Sequence, residues 1–147
     1  MEKLLDKQIV DQIREAFAQL KEPVQILFFG SAQNCEYCAE IQQLLDEVVV
    51  INDKVSLKVY DFQADKNVAD RYHVDKYPAL VVAAKDGEQI SNLGIQFSGV
   101  PSGHEFATLV NDILMVSNRD SGLSPAVRDF LKNLNEPLLL QVFVTPT

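Results

Sequence analysis

A short apolar run that leads into a pair of cysteines at the start of a helix-like segment constrains the fold of this 147-residue chain more than any other feature. Residues 24–29 are apolar except for Gln25, and Gly30 follows them. This pattern predicts a buried strand. From Cys35 to about Val50, apolar residues recur at intervals of three or four, the spacing of one helical face. A strand, a loop and a helix in this order indicate an α/β protein with the cysteines at the strand-to-helix junction.

The rest of the sequence continues this alternation of helical and strand-like segments. Apolar residues with helical spacing occupy residues 2–21, and this extra N-terminal helix should end near Pro23. Three further apolar or alternating stretches predict strands, at 55–62, 79–84 and 94–98. Two more segments with helical spacing predict helices, at 65–72 and 104–116. The predicted order is therefore α-β-α-β-α-β-β-α.

This order predicts one mixed, four-stranded sheet flanked by helices. Two strands joined by a helix should run parallel through a right-handed crossover, and the last two strands should form an antiparallel hairpin. We expect residues 1–117 to form this unit.

Residues 118–147 are expected to form an appendage of linker, helix and strand. Residues 118–123 are polar, and Ser124-Pro125 is a helix-start signal, so a helix should follow to about residue 134. Residues 138–144 are strongly apolar and predict a strand. Its apolar side chains would be exposed unless the strand adds to a sheet edge of this unit or of a second copy. We therefore expect a homodimer formed through this strand.

Composition and charge exclude several classes of partner. The sequence is 47% apolar and 23% charged, as expected for a globular domain. With 21 acidic against 13 basic residues the formal net charge is −8, and there is no basic cluster, which argues against nucleic acid and anionic membranes as partners. No apolar run approaches the roughly 20 residues that span a bilayer, and the N-terminus is charged throughout, so we expect a cytoplasmic location.

Cys35 and Cys38, the two cysteines of the chain, are spaced for redox chemistry. Thiols three residues apart at a helix start can form a disulfide with little backbone movement. The helix N-terminus lowers the pKa of a thiol placed there, so Cys35 is the expected nucleophile and Cys38 the thiol that resolves the mixed disulfide. Glu36 disfavours a second negative charge, and no Lys, Arg or His flanks the motif, so the degree of activation stays open.

Two other interpretations of the cysteine pair compete with redox chemistry. The pair could be inert and buried, although this spacing after a strand favours redox function. It could also bind zinc, which needs about four ligands, but His73 and His104 lack the usual short spacing. We therefore expect neither a metal nor an organic cofactor.

Tyr77-Pro78 precedes the third predicted strand and is a candidate substrate-binding element. A proline there often only marks the start of a strand. A cis bond would instead expose the preceding backbone beside the helix start, where it could bind an extended substrate. Tyr37, between the two cysteines, is a further candidate for substrate binding.

Other polar residues are expected to be structural. His104 and Glu105 suit the first turn of a helix rather than acid–base catalysis. Asp61, Asp65 and Asp70 are interpreted as ordinary strand-end and helix-start residues.

Several motifs resemble those of known redox families. The strand, the Cys35-Glu36-Tyr37-Cys38 motif, Asp61-Phe62, Tyr72-His73-Val74 and Tyr77-Pro78 together resemble a thioredoxin-fold unit. Three segments resemble the N-terminal half of the protein disulfide oxidoreductases, which are glutaredoxin-like proteins of two such units: 97–106 (FSGVPSGHEF), 121–124 (SGLS) and 141–147 (QVFVTPT). The first segment also resembles the N-terminal domain of the flavoprotein subunit of alkyl hydroperoxide reductase, whose first unit has lost its cysteines.

The resemblance implies roles for individual residues. It implies that Cys35 is the attacking thiol, Cys38 the resolving thiol and Pro78 a cis-proline beside them. In the protein disulfide oxidoreductases, the segment that resembles FVTPT leads into a second CxxC motif. This chain therefore resembles one complete unit followed by the first helix and strand of another.

These observations favour a thiol-disulfide oxidoreductase of glutaredoxin or thioredoxin type. Its expected partners are protein or small-molecule disulfides and a reductase or thiol reductant. The alternative is a non-catalytic, thioredoxin-like binding or assembly module that uses its C-terminal strand.

Overall fold

The described part of the chain, residues 3–145 of a computed structural model, alternates helices and strands in the predicted order. The strands are β1 (Val24–Gly30), β2 (Val55–Asp61), β3 (Ala79–Asp86) and β4 (Gln89–Ser98). The helices are α1 (Lys7–Phe17), α2 (Cys38–Val49), α3 (Lys66–Arg71), α4 (His104–Asn118) and α5 (Pro125–Lys132). The predicted α/β class is confirmed.

The strands form one mixed, four-stranded sheet, as predicted, and the structure gives their order across the sheet as β2-β1-β3-β4. β1 and β2 are parallel, and their register places Gly30 opposite Asp61. β3 runs antiparallel to both β1 and β4, and places Ala79 opposite Phe29. The end of β1 is therefore flanked by the end of β2 and the beginning of β3.

β1 is buried along its whole length because helices cover both faces of the sheet. On one face, Ile26 and Phe28 belong to a core that includes side chains of α1, α2 and α4. On the other face, Leu27 and Phe29 belong to a smaller core that includes Ala69 of α3. Burial on both faces explains why the apolar run of this strand is almost uninterrupted.

α2 begins later than the apolar spacing predicted, at Cys38 rather than Cys35. Tyr37 is its N-cap residue, and the Tyr37 carbonyl accepts the first helical hydrogen bond from the N–H of Ile41 (2.9 Å). Cys35 therefore lies in the loop between β1 and α2. The spacing could not reveal this, because Cys35 is one turn before Cys38 and fits the same period.

The predicted strand at 138–144 is wrong for the described structure, in which residues 134–145 form no strand. The apolar side chains between Leu138 and Val144 are 63–89% exposed. A strand needs a neighbouring backbone to satisfy its hydrogen bonds, and no described residue pairs with this segment. An apolar, strand-like composition was therefore not sufficient to make this segment a strand.

The predicted helix before that segment is confirmed by α5, where the Ser124 hydroxyl accepts a hydrogen bond from the N–H of Val127 (3.4 Å). The division of the chain between residues 117 and 118 stays a prediction. Met1, Glu2, Pro146 and Thr147 belong to its two segments but lie outside the described residues.

All the described helices are short. The longest, α4, has 15 residues, whereas a helix that crosses a bilayer needs about 20. Between residues 3 and 145, no helix is both long and apolar enough to span a membrane. The cytoplasmic location stays a prediction.

Candidate functional site

A disulfide bond between Cys35 and Cys38 occupies the junction between β1 and α2. The two Cα atoms are 5.5 Å apart, a usual separation for bridged cysteines. The sulfurs therefore meet as their spacing predicted. Within residues 3–145, no group of three or more His, Cys, Asp or Glu residues could hold a metal ion.

The two cysteines differ in exposure. Cys35 is half-buried, whereas Cys38 is only 7% exposed. Gly30 lies against Cys38, since a Cβ atom added at Gly30 would be 3.2 Å from its Sγ. The backbone N–H of Ser31 also donates a hydrogen bond to Cys38 Sγ (3.4 Å). A substrate approaching from solvent therefore meets the sulfur of Cys35 first.

The N-terminus of α2 lies beside the disulfide. Tyr37 provides no side-chain hydrogen bond to the first turn. The N–H groups of that turn precede the first helical hydrogen bond, and the positive end of the helix dipole lies at the same place. A helix N-terminus of this kind is a favourable place for a negatively charged group such as a thiolate.

Asp61, at the end of β2, lines the same cleft as Cys35 and the loop that carries it. Its carboxylate accepts hydrogen bonds from the backbone N–H groups of Ala64 (2.8 Å) and Gln63 (3.0 Å), and the backbone N–H of Ala32 also acts on it from the loop after β1. These bonds, that of Ala64 foremost, lower the pKa of the Asp61 carboxyl below its usual value. The carboxylate is therefore ionised at neutral pH, and its hydrogen bonds hold the turn after β2.

Sequence reasoning missed this role, because Asp61 was interpreted as an ordinary strand-end residue. The available signal was the predicted parallel pairing of β1 and β2, which brings their carboxyl ends together at one edge of the sheet. Ser31 was also missed. It contacts Cys38 through its backbone N–H, a group that nearly every residue has, so the residue type gave no signal.

A cleft of about 400 Å³ opens onto the disulfide between α2 and β2. The residues that line it include both cysteines, Ala39 and Gln42 from α2, and Val59 and Asp61 from β2. Val59 is 44% exposed, so this part of the strand faces solvent rather than core. The cleft gives a substrate access to the sulfurs along an edge of the sheet.

The three predicted substrate-binding residues do not line this cleft. The Tyr77-Pro78 bond is cis, and Pro78 precedes β3 at the opposite flank of β1 from Asp61. The Tyr77 ring packs against Phe62, with centroids 5.1 Å apart. Tyr37 is 46% exposed. Their roles in binding substrate stay predictions.

His104 and Glu105 lie in the first turn of α4. The N-cap residue of α4 is Gly103, which has no side chain to accept a hydrogen bond from the first turn. Glu105 places an acidic side chain in that turn, as expected for a position near the positive end of a helix dipole.

The sheet order, the flanking helices and the Cys35–Cys38 bridge at the β1–α2 junction define a thioredoxin-like fold. A thioredoxin from Trichomonas vaginalis superimposes with a TM-score of 0.50 and 25% identity, and the match covers 76% of this chain and 91% of the thioredoxin. No family model matches the chain.

More specifically, the chain is similar to protein disulfide oxidoreductases and to the N-terminal region of the F subunit of alkyl hydroperoxide reductase. The protein disulfide oxidoreductase of Aeropyrum pernix matches with a TM-score of 0.76 and 25% identity over 90% of this chain and 57% of its own. The alkyl hydroperoxide reductase F subunit of Pseudomonas aeruginosa is 25% identical over 131 residues, which cover 89% of this chain. The chain spans only 22% of the length of that curated relative.

Proposed function

We propose that the chain is a thiol-disulfide oxidoreductase in which Cys35 and Cys38 alternate between a dithiol and a disulfide. The observation that carries the proposal is the unequal exposure of two bonded sulfurs at a helix N-terminus. Similarity to the Aeropyrum pernix protein disulfide oxidoreductase supports the same chemistry.

In the reduced protein, the Cys35 thiolate attacks one sulfur of a substrate disulfide and displaces the other as a thiolate. Cys38 then attacks the Cys35 sulfur of this mixed disulfide, so that the second substrate thiolate leaves and the Cys35–Cys38 bond forms. The Ser31 N–H, which donates to Cys38 Sγ, favours the Cys38 thiolate needed in this second step. Two electrons pass from the protein to the substrate.

The proposed substrates are disulfides of proteins or small molecules, and return to the dithiol requires a reductase or a thiol reductant. The similarity to a protein named as a component of alkyl hydroperoxide reductase supports a reductase as the electron donor. Tyr37, Tyr77 and Pro78 are proposed to hold the substrate backbone next to Cys35.

A trapping experiment tests the proposal. The Cys38→Ser variant should accumulate a mixed disulfide through Cys35, because the resolving thiol is absent, while the matched Cys35→Ser variant should trap far less. Non-reducing electrophoresis and mass spectrometry measure the adduct, and insulin reduction by the unmodified chain with a dithiol measures turnover. Absence of both trapping and insulin reduction would exclude this function.

A binding or assembly module is the second candidate function. It is favoured by the exposure of the apolar side chains between Leu138 and Val144, none of which packs on a described residue of the core. The trapping experiment separates the two candidates, because a module of this kind needs neither cysteine.

A further inference from the structure

We propose that the Asp61 carboxylate makes the cleft beside the disulfide selective for neutral or positively charged peptide disulfides over anionic ones, such as glutathione disulfide. The inference rests on the proposed function, because it concerns the substrates of the same disulfide. It is carried by the shape of the cleft, the direction of the β2 side chains and the charges around them.

Strand geometry places the Asp61 side chain on the cleft face of β2. Val59 lines the cleft, and side chains two residues apart along a strand share a face. Lys58 has the opposite orientation, and its ammonium lies 5.3 Å from the centre of the Tyr60 ring, which stacks on Phe29 in the core on the α3 side. Tyr60 also lines the cleft, but Lys58, the one cation of β2, does not.

Asp61 is the only ionised side chain among the described residues that line the cleft, and none of these residues is Lys, Arg or His. Its partners are backbone N–H groups rather than a cation, so its charge is not neutralised by an ion pair. Exposed Glu36, between the two cysteines, adds a second carboxylate near the disulfide. Lys66, in the next helix, pairs with Asp70.

The negative charge in the cleft should favour substrates of complementary charge. An anionic disulfide that enters the cleft meets the Asp61 carboxylate and no cation among the described lining residues, which lowers its association rate, whereas a cationic peptide is attracted. The hydrogen bonds to Asp61 hold its charge in one position, so the selection comes from this residue and not only from the net charge of the molecule.

The selected reaction is balanced within one turnover. The reduced protein carries two thiols, and transfer of two electrons converts one peptide disulfide into two peptide thiols and leaves the Cys35–Cys38 disulfide in the protein. The two protons come from the protein thiols by way of solvent. No further reductant takes part in this single turnover.

The test uses two cyclic peptide disulfides with the same ring, one flanked by lysines and the other by glutamates. The pre-reduced 147-residue protein reacts with each at low ionic strength, and chromatography measures the single-turnover rate constants. The lysine-flanked peptide is intrinsically the more reactive, because cations stabilise its leaving thiolate, so the lysine-to-glutamate rate ratio is compared among variants rather than taken by itself.

Asp61→Asn removes the charge but keeps an amide oxygen that can accept backbone hydrogen bonds. The matched control is Glu88→Gln, which changes the net charge by the same amount as Asp61→Asn. Glu88 is exposed in the turn between β3 and β4, at the end of the sheet opposite the disulfide. Asp61→Glu retains the charge.

We expect Asp61→Asn to lower the rate ratio at least about threefold, while Glu88→Gln and Asp61→Glu leave it nearly unchanged. Added salt should reduce the ratio of the unmodified protein towards that of Asp61→Asn. Equal ratios in Asp61→Asn and Glu88→Gln would overturn the charge selection while leaving the oxidoreductase function intact. Failure of the reduced protein to react with either peptide would overturn both.

Discussion

At the scale of single residues, the packing of Gly30 against the disulfide predicts that added volume there is costly. A Cβ atom at Gly30 would lie 3.0 Å from Phe28 Cζ and 3.2 Å from Cys38 Sγ. Phe28 is 1% exposed and cannot move outward, so Gly30→Ala should lower the free energy of unfolding of the oxidised protein by about 1–3 kcal/mol. Urea unfolding with and without reductant measures the effect.

The same variant should lose less stability after reduction, because the Cys38 sulfur can then move away from the added methyl group. Gly87→Ala is the matched control, since Gly87 has φ +62° and nothing within 4 Å of an added Cβ. Its cost comes only from the backbone, about 1 kcal/mol, and should be the same in both redox states. A redox-independent loss at Gly30 would contradict the contact with Cys38.

At the scale of elements, the caps of α1 and α5 should have different consequences, although they have the same geometry. The Asp6 side chain accepts the N–H of Ile9 (2.9 Å), and the Ser124 side chain accepts that of Val127. α1 contributes buried Ile13 and Phe17 to the core, whereas no residue of α5 is buried. Loss of the α1 cap should therefore destabilise the whole fold, whereas loss of the α5 cap should affect only that helix.

Asp6→Ala should lower the global free energy of unfolding by about 1 kcal/mol. Ser124→Ala should leave it unchanged and increase amide hydrogen exchange only in α5, because a helix that does not pack can unfold locally. Urea unfolding and hydrogen exchange measure the two effects. A global loss in Ser124→Ala would mean that α5 contributes to the core.

At the scale of the whole molecule, the exposed apolar segment predicts self-association. Leu140 and Val142 are 79% and 84% exposed, and contiguous apolar surface of this kind is typical of interaction sites. A second copy could pair with the segment at a free sheet edge, as expected from its strand-like sequence. The dimer stays a prediction.

Replacement of both Leu140 and Val142 by Asp should abolish concentration-dependent association without changing the free energy of unfolding, because neither side chain is buried in the single chain. Val50→Asp is the matched control, since Val50 is equally exposed (82%) but belongs to the C-terminal end of α2 and not to that segment. Sedimentation velocity over a range of concentrations measures the mass. A monomeric unmodified chain at high concentration would show that the expectation is wrong.

The sequence determined the order of elements, the mixed sheet and the cysteine pair, because hydrophobic period and residue spacing are local properties of the chain. Tertiary structure decided the rest. It placed Cys35 outside the helix, brought Asp61 from another strand into the cleft that the cysteines line, and left residues 138–144 without a pairing partner in the described chain. Each of these depends on which distant backbone groups meet in space, and a hydrogen bond or a shared cleft exists only where they do.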